Sequence, residues 1–221
     1  TVGSQRCEGI VCGDTEKGER FQGVCDKDGC DLNTYRLGEK SFYGASGGFT
    51  VDTTKPVTVV TQFLTTDGTD TGDLSEIRRF YVQEGAVLAT SHATVLGAGA
   101  GDSISDDFCS AQKRAFSDPN AFQAKGGLKK MGEALDRGMV LVLSLWDDTK
   151  VHMLWLDSAY PTDAPASQPG VARGPCAGGE ASSPSFLRSA HPDAWVRFTN
   201  IAVGAIGSTT GRARRLRAAS A

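Results

Sequence analysis

The sequence predicts an all-β protein, an antiparallel β-sandwich with disulfide-pinned loops and one or two short helices. Two observations carry this prediction. Segments rich in β-branched and apolar residues alternate with turns along most of the 221 residues, and helical periodicity occurs in only two short stretches. The first 45 residues are rich in Gly, Cys and Asp, a composition typical of loops held by disulfides. Successive strands with few helices favour antiparallel sheets packed face to face.

The predicted elements follow from local patterns along the chain. Strands are predicted over segments where β-branched and apolar residues are bounded by turn residues: 49–53, 57–66, 76–83, 139–146, 151–157 and 195–203. A helix is predicted over 105–114, with Ser105 as its N-cap. A second helix is predicted over 127–137, where apolar residues recur at helical spacing and Gly138 can end it. The stretch 163–185, rich in Pro, Ala, Ser and Gly, is predicted to be a loop.

Residues 139–162 carry the most informative pattern, because two tryptophans fall on one face of a predicted hairpin. With a four-residue turn at 147–150, alternation places Trp146 and Trp155 on the same face, beside a serine and a carboxylate. Four positions along a strand separate the rings by about 13 Å, enough for two stacking platforms. The opposite face is apolar and is predicted to be core. A sugar-binding wall and two indoles packed under a loop are the interpretations that this pattern leaves open.

Composition excludes some function classes. A net charge of −3 gives no electrostatic footprint for nucleic acid, and no apolar run approaches the about 18–20 residues that span a bilayer. We therefore expect no nucleic-acid and no membrane partner. Six cysteines favour an oxidising compartment. Their spacing does not determine the pairing, and it leaves open a tetrahedral zinc site made by Cys7, Cys12, Cys25 and Cys30.

Ten short motifs follow one another along the chain. They are CEGIVCG at 7–13, GVCDKDGCDLNTYRLG at 23–38, SFYG at 41–44, FTVDTTKPVTVVTQF at 49–63, DDFC at 106–109, KGGL at 125–128, SLWDD at 144–148, MLWLDSAYPT at 153–162, VARGPC at 171–176 and FTNIAVGAIGSTT at 198–210. This ordered series resembles glycoside hydrolase family 7, the cellulases of the cellobiohydrolase I type. The resemblance implies a concanavalin-like jelly roll for the predicted sandwich.

The resemblance also implies an activity. Family 7 enzymes are retaining β-1,4-glucanases whose catalytic carboxylates lie in a Glu-x-Asp-x-x-Glu motif, upstream of the first cysteine seen here. That motif does not occur in residues 1–221. We therefore expect 1–210 to be the C-terminal part of a single domain with no catalytic residue of its own, and 211–221 to be a basic disordered tail. The loop between Cys12 and Arg20 has the length of tunnel-forming cellobiohydrolases, which implies processive release of cellobiose from cellulose.

Substrate-binding residues are assigned by the same resemblance. Trp146 corresponds to a platform on the non-leaving side of the scissile bond, and Trp155 to one on the leaving side, with Tyr160 on the same wall. The charged residues that would hold the departing disaccharide are Arg20, Asp28, Asp31, Arg36 and Arg173. Flat aromatic faces suit pyranose rings, and charged planar groups suit pairs of hydroxyls. For each charged residue alone, the alternative is a surface ion pair.

Disulfides and partners follow from the resemblance as well. It pairs Cys7 with Cys12 and Cys30 with Cys109. It assigns the two remaining cysteines, Cys25 and Cys176, to partners upstream of Thr1, so the N-terminal half of the domain is an expected partner. It further implies a secreted protein with no cofactor and no metal ion. Two alternatives stay open: a non-catalytic glucan-binding protein, and a fragment that is inactive without its N-terminal half.

Overall fold

A computed structural model of the chain describes residues 23, 26, 28–90, 93–97, 101–145 and 147–209. Two short strands, β1 (Tyr43–Gly44) and β2 (Val51–Asp52), pair in parallel. A three-stranded antiparallel sheet follows, with neighbouring strands β3 (Thr58–Thr65), β4 (Leu74–Gln83) and β5 (Ala86–Ala89). The predicted strands at 57–66 and 76–83 are thus confirmed, whereas β1 and β5 were not predicted.

The described residues also contain four α-helices and two 3₁₀ turns. The helices are α1 (Asp106–Phe116), α2 (Ala121–Ala124), α3 (Gly127–Asp136) and α4 (Pro184–Ala190), and the 3₁₀ turns are Thr94–Leu96 and Gly179–Ser182. Both predicted helices are confirmed as α1 and α3, while the short α2 and α4 raise the helix count above the predicted one or two. None of these helices combines the length and the apolar composition that crossing a membrane requires.

The ends of α1 and α3 agree with their predicted signals. The Ser105 hydroxyl accepts a hydrogen bond from the Phe108 N–H at 3.1 Å, so Ser105 is the N-cap of α1. Asp106 in the first turn of α1 accepts the Leu128 N–H of α3 at 3.0 Å. A Cβ on Gly127 would lie 2.6 Å from that carboxylate, which explains why glycine occurs there. One carboxylate therefore joins the first turns of both helices.

The main core lies where the helices pack against the start of β4 and the 30–37 loop. Its buried members come from the loop, the sheet and three helices: Leu37, Leu74, Ala93, Phe108, Cys109, Phe116, Phe122 and Leu128. A second, smaller cluster joins Val60 of β3 to its cross-strand partner Phe80 of β4. The helical layer therefore attaches the loop that carries the candidate site to the regular sheet.

The Cys30–Cys109 disulfide links that loop directly to α1, across 79 residues of sequence. This is the pairing that the family resemblance implies. It also overturns the zinc alternative in its four-cysteine form, because the Cys30 sulfur is bonded to Cys109. The other cysteines of that hypothesis, Cys7, Cys12 and Cys25, lie outside the described residues, as does the predicted Cys7–Cys12 pair.

The predicted hairpin at 139–157 does not form among the described residues of that range. Residues 139–145 have no regular secondary structure and are exposed (Val140 87%), without regular pairing in the described part of the chain. Residues 148–157 instead fold into consecutive turns, with positive φ at His152 and Met153. The Asp148 carboxylate accepts the Lys150 N–H at 2.8 Å, a local side-chain bond that competes with strand pairing. The predicted strand face shared by Trp146 and Trp155 is therefore wrong at Trp155, and Trp146 lies outside the described residues.

The predicted strand at 195–203 is also absent. Its apolar side chains are exposed, with Trp195 at 72% and Val203 at 94%. A strand requires a hydrogen-bonded neighbour to satisfy its backbone groups. Neither 139–145 nor 195–203 finds such a neighbour among the described residues. Both segments have the composition of β-strands. They do not form strands because no described residue pairs with their backbone.

The cross-link between the loop and α1 generates a stability prediction. Replacing Cys30 and Cys109 by Ser should lower the free energy of unfolding by about 4 kcal/mol, since the unfolded chain gains the freedom of a long open loop. Urea-induced unfolding measures the difference. The measurement uses residues 1–221 alone, where Cys176→Ser is the matched control because Cys176 is an exposed free thiol of this chain. Equal unfolding free energies for the double variant and the control would contradict this role of the disulfide.

Candidate functional site

The candidate site begins at a turn that Asn33 organises. The Asn33 carboxamide oxygen accepts the Arg36 N–H at 3.0 Å, which closes the turn. Its Nδ2 donates to the carbonyl of Arg173 at 3.1 Å and to that of Leu156 at 3.4 Å. A single asparagine therefore shapes the turn that carries Asp31 and Arg36 and attaches it to two distant segments.

Those two segments hold each other through a short antiparallel bridge. The Tyr160 N–H donates to the carbonyl of Val171 at 3.0 Å, and the Arg173 N–H donates to that of Ser158 at 2.7 Å. Ala159 and Ala172 form the bridge pair between them. Backbone pairing thus brings Tyr160 and Arg173 side by side and places both next to the Asn33 turn.

The Arg36 guanidinium lies at the centre of the site. Its Nη1 contacts Asp31 Oδ1 at 3.1 Å, its Nη2 contacts Asp118 Oδ2 at 3.5 Å, and its Nε donates to the carbonyl of Gly170 at 2.8 Å. The guanidinium carbon lies 4.2 Å from the centroid of the Phe116 ring. The Arg36 side chain is only 6% exposed, against 44% for Asp31. Arg36 therefore lies behind Asp31, and the Asp31 carboxylate is the part of the pair that a ligand can reach.

Gly170 makes this arrangement possible. Its φ of +83° is in the left-handed region, and a Cβ there would lie 2.5 Å from the Phe116 ring. Only glycine lets the backbone approach the ring closely enough for its carbonyl to meet the Arg36 Nε. The chain from 170 to 173 thus contributes both a backbone acceptor and the Arg173 side chain to the site.

One face of α1 supports the Asp31–Arg36 pair from below. Cys109, Gln112 and Phe116 follow at helical spacing and lie on the same side of the helix. Cys109 is bonded to Cys30, the fully buried Gln112 donates from Nε2 to the Asp31 carbonyl, and Phe116 underlies Arg36. The loop is therefore held at three successive points by a rigid element.

Arg173 is held by neutral acceptors. Its Nε donates to the carbonyl of Tyr160 and its Nη1 to that of Trp155, each at 3.2 Å. Its guanidinium carbon lies 5.7 Å from the Tyr160 ring centroid. Burial lowers the pKa of Arg173, and the positive charge of Arg36 lowers it further, while Asp31 and Asp118 act in the opposite direction. Arg173 makes no ion pair with a described residue, so its remaining N–H groups suit a neutral, hydroxyl-rich ligand.

Trp155 is half-buried, and its indole is oriented by Asp148. The indole Nε1 donates to Asp148 Oδ2 at 3.3 Å. Backbone hydrogen bonds, that from Lys150 first, lower the pKa of Asp148, and the Trp155 indole adds to this effect. The acceptor therefore stays ionised, which keeps the ring in place. A half-buried indole held by this hydrogen bond is compatible with stacking on a sugar, the role that the resemblance implies.

The structure brings together four of the predicted site residues, Asp31, Arg36, Tyr160 and Arg173, with the backbone of Trp155. Asp28 lies on the same loop, where its N–H donates to the Asp26 carboxylate at 3.1 Å. Arg20 and Trp146 lie outside the described residues. The binding role of all these residues stays a prediction.

Sequence reasoning missed several residues of this cluster, above all Asp118, Asn33 and Gln112. Asp118 had a signal in the sequence, because a carboxylate just beyond the end of a helix is disfavoured by the helix dipole and suggests a compensating partner. Asn33 and Gln112 act through hydrogen bonds to backbone carbonyls distant in sequence, and no local pattern indicates such contacts.

Cys176 carries a thiol that could react or bind a ligand. Its thiol is free and exposed, and its sulfur donates to Asp157 Oδ2 at 3.1 Å. This hydrogen bond, with burial and the charge of Asp157, raises the pKa of the Cys176 thiol. In the part of the chain that is described, no three His, Cys, Asp or Glu side chains lie close enough to hold a metal ion.

The chain is similar to a known protein family and to several solved structures. The profile of glycosyl hydrolase family 7 matches residues 1–210. The crystal structure of a family 7 cellobiohydrolase from Daphnia pulex matches with 52% identity and a TM-score of 0.77, covering 84% of this chain and 42% of that one. A cellobiohydrolase from Melanocarpus albomyces, complexed with cellotetraose, matches with 36% identity and a TM-score of 0.67, covering 85% and 41%. A Humicola insolens endocellulase matches with 36% identity and a TM-score of 0.62, covering 84% and 40%.

These matches confirm the predicted fold class, the antiparallel jelly-roll sandwich of the family, of which the described sheet forms a part. The chain spans about two fifths of the length of the structures it matches, 42% in the Daphnia pulex case. The antiparallel β3–β4–β5 sheet and the Cys30–Cys109 disulfide agree with that class.

The buried position of Arg36 generates a stability prediction. Arg36→Met should lower the free energy of unfolding by about 2 to 3 kcal/mol, because it leaves two half-exposed carboxylates without their shared cation. Arg188→Met is the matched control, since Arg188 pairs with Asp147 at the surface and is 69% exposed; there we expect little change. Thermal and urea unfolding compare the two. Equal, small losses would show that Arg36 forms only a surface ion pair.

Proposed function

The chain belongs to glycosyl hydrolase family 7, and on that basis we propose that it is the C-terminal part of a secreted, retaining β-1,4-glucanase that acts on cellulose. We propose further that the enzyme is a processive cellobiohydrolase and that this chain supplies the groove wall and the site for the cellobiose product. The observation that carries the proposal is the cluster of Asp31, Arg36, Tyr160 and Arg173, assembled from three distant segments.

The chemistry of this cluster fits a disaccharide. A half-exposed carboxylate accepts hydrogen bonds from a pair of sugar hydroxyls, and a guanidinium donates to others. The Trp155 indole and the Tyr160 ring offer flat faces for the apolar side of a pyranose. Cellobiose is uncharged, which agrees with a site whose two arginines and two aspartates balance in charge.

The relatives support cello-oligosaccharides as ligands and favour the cellobiohydrolase type. The Melanocarpus albomyces cellobiohydrolase is complexed with cellotetraose, and an endoglucanase I, 31% identical to this chain, is complexed with cellobiose. The Daphnia pulex cellobiohydrolase is 52% identical, while the Humicola insolens endocellulase is 36% identical. Exo action is therefore the better-supported form of the proposal.

In this proposal the bond-breaking carboxylates belong to another part of the domain. A retaining glycosidase needs a nucleophile and an acid/base about 5–5.5 Å apart, and the family's Glu-x-Asp-x-x-Glu motif does not occur in residues 1–221. The described residues would instead bind sugar rings on the leaving side. Binding energy gained there positions and distorts the ring at the reacting bond.

The partner that completes the domain would be its own N-terminal half. The exposed apolar segments 139–145 and 195–203 support this, because apolar chain with no backbone partner among the described residues calls for a neighbouring strand. Cys25 and Cys176 are the proposed points of disulfide attachment, and Cys176 is free and exposed. Residues 1–210 would then belong to one domain, with 211–221 as its tail.

A non-catalytic glucan-binding protein is the rival function, favoured by the missing carboxylate motif. A protein of that kind would bind cellobiose through the same cluster and hydrolyse nothing. The two proposals differ in the activity of the intact protein, by which we mean residues 1–221 together with whatever chain accompanies them in the native molecule.

Hydrolysis provides the first test. Purified residues 1–221 should release no cellobiose from cellotetraose, because they contain neither catalytic carboxylate, whereas the intact protein should release it with retained anomeric configuration. Chromatography of products and NMR of the fresh anomer measure both. Cellobiose release by mass-verified residues 1–221 would contradict the proposal that the catalytic carboxylates lie outside these residues. An intact protein that binds cellobiose without hydrolysing cellotetraose would support the glucan-binding alternative.

Ligand binding provides the second test. In the intact protein, Arg173→Ala should weaken cellobiose binding about 10-fold, the effect of losing a hydrogen bond to a charged group. Trp155→Ala should weaken it by about 1–3 kcal/mol, by analogy with bases stacked on aromatic side chains. The melting temperature should barely change in Trp155→Ala and fall only modestly in Arg173→Ala, which removes two hydrogen bonds to backbone carbonyls.

The matched control for this test is Arg188→Ala, which removes an arginine from a surface ion pair outside the cluster. Its cellobiose affinity should equal that of the wild type. If Trp155→Ala instead costs about 3–5 kcal/mol of stability, the loss typical of an emptied aromatic core site, with ligand affinity unchanged, Trp155 is a packing residue.

A further inference from the structure

Asp118 occupies a position that local helix energetics disfavour. α1 ends at Phe116, its C-cap Ser117 has a left-handed backbone, and the Asp118 N–H donates to the carbonyl of Lys113 at 2.9 Å. This geometry places a carboxylate beside the negative end of the helix dipole, where anions are destabilised. The compensating contact in the described part of the chain is Arg36, whose Nη2 lies 3.5 Å from Asp118 Oδ2.

Arg36 connects Asp118 to Asp31 through a rigid, planar group. Asp31 contacts Nη1 and Asp118 contacts Nη2, while Nε donates a hydrogen bond to the Gly170 carbonyl. The Phe116 ring confines the guanidinium on one face. The guanidinium group of Arg36 is planar. Contacts that fix its Nη2 and Nε atoms therefore also fix the direction in which Nη1 points toward Asp31.

The Asp31 carboxylate uses one oxygen for Arg36 and keeps the other without a partner among the described residues. It is also the more exposed member of the pair, at 44% against 6% for Arg36. The orientation of the second oxygen therefore depends on how firmly Arg36 is held. Asp118 is the contact on the far side of Arg36 that a single substitution can remove without touching Asp31.

We propose that Asp118 is a positioning residue for the disaccharide site: it holds Arg36 so that Asp31 presents its second carboxylate oxygen to the sugar. The inference rests on the proposed function, since it assumes that Asp31 binds cellobiose. Asp118 also opposes the effect of Arg36 on Arg173, whose pKa is lowered by burial and by that neighbouring positive charge. The Asp118 carboxylate thus balances the charge of a site that would otherwise contain two arginines and one aspartate.

A double-mutant cycle in the intact protein tests the inference. Isothermal titration with cellobiose compares the wild type, Asp118→Ala, Asp31→Ala and the double variant. Asp118→Ala should raise the Kd about 3- to 10-fold, less than the loss of a direct contact. In the Asp31→Ala background the same change should have no further effect, because Asp118 acts through Asp31.

Two further variants separate positioning from general stability. Asp118→Asn keeps the shape and one acceptor oxygen, so its Kd should lie between those of the wild type and Asp118→Ala, and it serves if the alanine variant does not fold. Asp107→Asn is the matched control, an exposed aspartate in the first turn of the same helix. Its cellobiose affinity should equal that of the wild type.

The outcomes distinguish the two proposals. If the wild type binds cellobiose and neither Asp118 variant changes the Kd, Asp118 has no positioning role, although the proposed function stands. If the losses from Asp118→Ala and Asp31→Ala add, Asp118 acts independently of Asp31 and the inference is overturned. If the wild type does not bind cellobiose, the proposed function fails, and the inference fails with it.

Discussion

Burying a guanidinium is tolerated only where acceptors surround it, and this requirement organises the candidate site. Arg36 meets it by drawing acceptors from three segments far apart in sequence, through Asp31, Asp118 and the Gly170 carbonyl. Once these groups converge, the neighbouring chain has little freedom. Arg173 follows Gly170 by three residues and is thereby brought next to Tyr160. From sequence alone, Asp31 and Arg36 could form an ordinary surface ion pair. In the structure, Arg36 is the residue through which the segments of the site contact one another.

Helix α1 gives this junction a rigid base within a β-rich fold. The disulfide at Cys109, the amide of Gln112 and the ring of Phe116 contact the 30–36 loop at successive turns. A loop of such polar composition has few apolar contacts of its own, so its order comes from the helix beneath it. The same helix packs into the main core, which couples the geometry of the site to the stability of the domain.

Local physics explains which elements were predictable. Caps and periodicity specify α1 and α3 through contacts within a few residues, as the Ser105 cap and the Gly138 end illustrate. Runs of β-branched and apolar residues bounded by turn residues suffice to predict β3 and β4, which pair with each other across the turn that joins them. The segments 139–145 and 195–203 have the same β-type composition, but a strand exists only with a hydrogen-bonded neighbour. Without one in the described residues, the Asp148 turn prevails next to the first segment, and both segments remain exposed.

The sequence by itself determined the fold class, the two main helices and the ordered motifs that indicate the family, because these depend on neighbouring residues or on motif order. It also singled out Asp31, Arg36, Tyr160 and Arg173 as candidates. Only the tertiary structure decided that Arg36 lies behind Asp31, that neutral carbonyls hold Arg173, and that Asp118 belongs to the cluster. Arg36 and Asp31 are only five positions apart, but the burial of Arg36 depends on Phe116 and Gly170, which lie far from it in sequence. The contact with Asp118 spans 82 positions, and the acceptors of Arg173 are backbone carbonyls, which every residue carries, so no side-chain pattern in the sequence could specify them.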